Sequence, residues 1–126
     1  MKQQKGFTLI ELLVVIAIIG VMAALVIVNL SSANKKSRDA RRKADLAEVK
    51  TALELYYDDN LRYPAATGNF ETVLTSGLTP TYIKTMPADP RNTGTMIYTY
   101  TGDSNSYTLN AYLENTSVNY SVFSSN

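Results

Sequence analysis

The sequence predicts an α+β chain. One long N-terminal helix, half membrane-spanning and half amphipathic, packs on a small antiparallel sheet of about three strands. Three observations carry that reading. No proline or glycine occurs between Val21 and Tyr63, and no charged residue occurs between Leu12 and Asn34. After Met96 the hydrophobic period changes from helical to alternating.

The elements follow in order. Met1 to Gly6 is short and basic, MKQQKG, and reads as a leader. Residues 7–34 are apolar for longer than the roughly 20 residues a helix needs to cross a bilayer. A secretory signal peptide has a shorter apolar core before its cleavage site. Ala23-Ala24-Leu25 keeps open a soluble exported domain cut near Ala24.

Residues 35–126 form an external head. Leu46, Val49, Leu53 and Tyr56 or Tyr57 recur at helical spacing, so one apolar stripe of residues 35–60 should bury against the rest. Asp58-Asp59-Asn60 and Tyr63-Pro64 end this helix, because a residue before proline disfavours helical backbone. Residues 61–95 read as a loop-rich connector with one short helix near Phe70 to Thr75, capped by Asn69. Three strands follow within 96–124: Met96 to Thr101, Ser106 to Glu114 and Ser117 to Ser124. Tyr107, Leu109, Ala111 and Leu113 alternate with polar residues except at Tyr112, which marks one buried face.

Composition narrows the chemistry. The 126 residues carry a formal net charge of +1, so no global field draws nucleic acid. Cysteine and histidine are both absent. That removes disulfides, thiolate nucleophiles and the commonest general base and metal ligand. The expectation is a non-enzyme.

The stretch Gly6-Phe7-Thr8-Leu9-Ile10-Glu11 is the most informative. A carboxylate beside a spanning helix is costly, by about 2.5 kcal/mol or more at the bilayer centre. Two readings stay open. Thr8 and Glu11 fit a capping box, with Phe7 and Leu12 as its hydrophobic staple. Alternatively, a cut between Gly6 and Phe7 frees an amine on Phe7. Glu11 of a neighbouring copy then neutralises that amine and sets the axial register between subunits.

KGFTLIELLVVIAIIG resembles the leader and opening helix of type IV prepilins and type II secretion pseudopilins. Arg62 to Pro64 and Tyr82 to Pro90 more loosely resemble the major pseudopilin. The resemblance implies cleavage after Gly6 by a prepilin peptidase, methylation of the Phe7 amine, and a register role for Glu11. It implies an inner-membrane precursor with a cytoplasmic N-terminus, in contact with lipid, that later becomes an external filament. The partners implied are identical subunits and a pilus or secretion assembly machinery. The expected function is a structural subunit of a type IV pilus-like filament. The alternatives are a major pseudopilin of a type II secretion-like system and a membrane-anchored binding module that never polymerises.

Other signals have bland readings. Lys35, Lys36, Arg38, Arg41, Arg42 and Lys43 read as a solvated helix face beside anionic headgroups, more readily than as a nucleic-acid contact. Asp89, Asp103 and Asn105 are oxygen-bearing candidates for calcium, although turn chemistry alone accounts for such residues. The nine tyrosines read as half-buried strand formers before they read as an adhesive surface.

Overall fold

The computed structural model describes residues 6–125. The leader residues before Gly6 lie outside them. The described chain divides into two units, one ending at Asn34 and the other beginning at Lys35. Helix α1, Leu9–Asn60, contributes residues to both.

In the first unit the side chains from Leu9 to Leu30 have no protein cover: Leu9 is 82% exposed, Ile19 60% and Val28 71%. The stretch is long and apolar enough to cross a membrane, and none of it is buried within the protein. Helical backbone suits it, because a spanning segment must satisfy its own N–H and C=O groups.

The second unit is built on a meander. Strands β1 (Ala66–Asn69), β2 (Thr99–Gly102), β3 (Tyr107–Leu113) and β4 (Val118–Phe123) lie in the order β1-β2-β3-β4. Every neighbouring pair is antiparallel. Between β1 and β2 run two single-turn helices, α2 (Phe70–Val73) and α3 (Thr75–Leu78). Asn69 caps α2 as expected, its side-chain oxygen accepting from the Glu71 N–H at 3.0 Å.

The head's part of α1 buries the expected stripe. Leu46, Val49 and Leu53 join Phe70, Leu74, Leu78, Tyr98, Tyr100 and Leu109 in one core. On β3 the residues Tyr107, Leu109, Ala111 and Leu113 are all buried, alternating with half-buried Thr108, Asn110 and Tyr112. Tyr112, the exception in the sequence pattern, therefore lies on the face opposite the core. The helix ends where Leu61 turns to φ 53° while its N–H still bonds the Tyr57 carbonyl at 2.7 Å.

Two expectations are corrected. The sheet has four strands, because Ala66–Asn69 pairs with β2 instead of remaining loop. The tyrosines of the core are buried, not half-buried: Tyr63, Tyr98, Tyr100 and Tyr107 are each at most 3% exposed. Each hydroxyl has an acceptor, which removes the main cost of burying a phenol. Tyr63 and Tyr107 donate to Glu54, Tyr98 to Asp45, and Tyr100 to the Pro64 carbonyl, at 2.6–2.9 Å.

Candidate assembly site at the start of the first helix

Thr8 is the cap of α1, and its bonds with Glu11 are reciprocal. The Thr8 N–H and hydroxyl donate to Glu11 Oε2 at 2.8 and 2.7 Å, and the Glu11 N–H donates to Thr8 Oγ1 at 3.3 Å. This is the capping box that the sequence predicted. Both bonds to the carboxylate use one oxygen, and Oε1 has no partner among the described residues.

Phe7 precedes the cap and is 87% exposed. A Cβ built at Gly6 would meet no described residue within 4 Å. A demand for a small residue there does not arise from packing among the described residues. Gly6, Phe7 and Glu11 fall within six consecutive residues at the head of the uncovered apolar stretch.

The calcium candidates are engaged in other bonds. Asp89 is buried, and its two oxygens accept from Arg42 Nε at 2.6 Å and Arg42 Nη2 at 2.9 Å. Asp103 Oδ1 accepts from the N–H groups of Asn105 and Ser106 at 2.7 and 2.8 Å, closing the β2–β3 turn. Among the described residues no group of three or more acidic side chains is arranged to hold a metal ion.

The basic run is also corrected in part. Arg42 is fully buried instead of solvated, and three carboxylates surround it. Besides Asp89, they are Asp39 at 2.9 Å and Glu114 at 2.7 Å. Arg38 forms a second, bidentate pair with Glu114 at 2.8 and 2.7 Å. Asp39 in turn accepts from the backbone N–H groups of Glu114 and Asn115, tying the helix to the β3–β4 turn.

The electrostatics follow the geometry. The Arg38 fork, reinforced by Arg42 against the cost of burial, draws Glu114 down to about 2. Burial opposes ionisation of Asp39 and Asp89, but their N–H and guanidinium donors more than offset it, and both sit below the usual carboxylate range. Charge on Arg42 is favoured chiefly by Asp89, so its guanidinium is raised above its ordinary value. A buried arginine needs this degree of pairing to be tolerated. The signal was present in the sequence: Asp39 and Arg42 continue the spacing of Leu46, Val49 and Leu53.

Comparison with known proteins agrees with the geometry. Residues 1–27 match the prokaryotic N-terminal methylation motif, and residues 29–117 match type II secretion system (T2SS), protein G. The chain is 37% identical over 97 residues to type II secretion system core protein G of Escherichia coli strain K12, covering 70% of this chain and 67% of that protein. It is 34% identical over 98 residues to the protein of the same name from Vibrio cholerae serotype O1, covering 71% and 67%. The Pseudomonas aeruginosa PAO1 protein is 35% identical over 98 residues, covering 71% and 69%. No solved structure matches. The chain belongs to the type II secretion system protein G family.

Proposed function

We propose that this chain is a major pseudopilin: a structural, non-catalytic subunit of the filament in a type II secretion-like system. The relatives are named as core proteins of that system, which supports the pseudopilin reading over a type IV pilus subunit. In this reading the precursor sits in the inner membrane with its N-terminus in the cytoplasm. A prepilin peptidase cuts between Gly6 and Phe7, and the new Phe7 amine is methylated. Secretion machinery then lifts the subunit out of lipid, and α1 packs beside the same helix of other copies.

The observation that carries the reading is the state of Glu11. It is the sole acidic group of the uncovered apolar stretch, and capping engages only its Oε2. Oε1 remains for the positive Phe7 amine of a neighbouring subunit, so capping and register are compatible. A lone membrane anchor gains nothing from a carboxylate at that depth.

Mass spectrometry of the mature N-terminus tests the reading. The expected product begins at methylated Phe7, and Gly6→Leu should leave uncut precursor in the membrane fraction. A mature protein beginning near Ala24, or normal processing of Gly6→Leu, would overturn it.

A further inference from the structure

The structure splits the basic run after Asn34 into two populations. Arg38 and Arg42 are consumed by Glu114, Asp39 and Asp89. Lys36 and Lys43 are exposed and have no carboxylate partner among the described residues. These two lysines flank a groove of about 320 Å³ between α1 and the β3–β4 turn.

Its construction favours an anion. Lys36, Ala40 and Lys43 follow i, i+4, i+7 spacing and share one face of α1. The small Ala40 lines the groove between the two lysines, and Leu113 adds an apolar residue to its lining. Asn115 and Thr116 line the groove from the turn and supply neutral hydrogen-bonding groups. Asp39 also lines it, but its two oxygens are held by Arg42 and by the N–H groups of Glu114 and Asn115. Lys43 Nζ lies 5.4 Å from the centroid of the Tyr120 ring, a cation–π contact that limits its wandering.

We propose that the Lys36–Lys43 groove binds the headgroup phosphate of an anionic glycerophospholipid. Lys36 lies two residues beyond the charge-free stretch that ends at Asn34. On the reading of that stretch as membrane-spanning, on which this inference rests, the groove's residues follow the hydrocarbon segment directly in the chain, where anionic headgroups attract lysine. The site distinguishes two residues from a diffuse basic collar. It gives the precursor a defined lipid contact that it must release when it leaves the membrane.

The test is a titration of the full chain in a neutral maltoside micelle, followed by backbone amide shifts at Lys36, Ala40, Lys43, Asn115 and Thr116. Short-chain phosphatidylglycerol should give saturable shifts confined to these residues. Phosphatidylcholine and inorganic phosphate should not. Lys36→Gln with Lys43→Gln should weaken the response at least about tenfold. The pair Lys35→Gln with Arg41→Gln removes the same charge outside the groove and should change it less than about threefold. Ala40→Leu keeps every charge, fills part of the groove, and should match the first pair. Four results would each overturn the site: equal shifts with phosphatidylcholine, equal shifts with inorganic phosphate, equal weakening by the two charge pairs, or no effect of Ala40→Leu. The micelle requires neither cleavage nor polymerisation. Failure of the groove is therefore distinguishable from failure of the pseudopilin reading.

Discussion

Arg42 occupies a position where the helical stripe calls for a leucine, and the three carboxylates around it are its reason for being there. Removing the guanidinium leaves Asp39, Asp89 and Glu114 buried without their common partner. Arg42→Ala should therefore cost on the order of 3–5 kcal/mol, a large share of the stability of a small head. Thermal denaturation checks this, and a loss under about 1 kcal/mol would contradict the arrangement. Glu114 carries the pH dependence. Its folded pKa, about 2, lies below its ordinary 4.5, so its contribution is complete above about 4.5 and is lost as pH falls toward 2. Asp39 and Asp89 act in the same direction. Glu114→Gln should lower stability at neutral pH and make the acid limb shallower, measured by melting temperature across that window. The position of Arg42 on the buried stripe was legible from its spacing, but its partners were not: Asp89 lies 47 residues away and is brought to it only by the fold.

At the scale of elements, legibility tracked how local the cause was. Helix α1 was readable almost to the residue, because its start is a capping box and its end a cluster of turn formers before a proline. Strand β3 was readable from its alternation, and β4 from its richness in strand-forming residues. Strand β1 was not. Its sequence, Ala-Thr-Gly-Asn, has little strand propensity, and it is a strand because its backbone pairs with β2. Gly102 in β2 illustrates a constraint that pattern cannot show. It shares a face with Tyr100, and a Cβ there would run into the Tyr100 ring and hydroxyl. That ring is fully buried and its hydroxyl bonds the Pro64 carbonyl, so it has little freedom to retreat. Gly102→Ala should destabilise the head by about 1–3 kcal/mol, read from chemical denaturation. An unchanged midpoint would show that Tyr100 repacks freely.

At the scale of the whole molecule, the two units have opposite economies of surface. Every residue of the principal core lies between Leu46 and Ala111, whereas the apolar side chains from Phe7 to Leu30 are uncovered. A chain beginning at Lys35 retains the core, the sheet and the Arg42 cluster. It should be soluble, show helix and strand by circular dichroism, and unfold cooperatively. A disordered spectrum would contradict the independence of the head. The uncovered unit, in contrast, needs a surrounding, which the proposed function supplies as lipid first and then other copies of the same helix. Without such copies its exposed leucines, isoleucines and valines have no aqueous structure to join.

In the proposed function Glu11 serves assembly and not merely its own helix. Glu11→Gln separates the two, because glutamine also completes a capping box while losing the charge that pairs with a neighbouring Phe7 amine. An unpaired buried charge costs on the order of 3–5 kcal/mol, enough to disfavour docking strongly. Electron microscopy of sheared filaments, with processed protein followed in membrane fractions, is the direct measurement. A role in assembly predicts a stable, cleaved, membrane-resident subunit that forms few filaments alone and is partly rescued by wild-type copies. Abundant filaments from Glu11→Gln alone would contradict it and leave capping as the sufficient role of the residue.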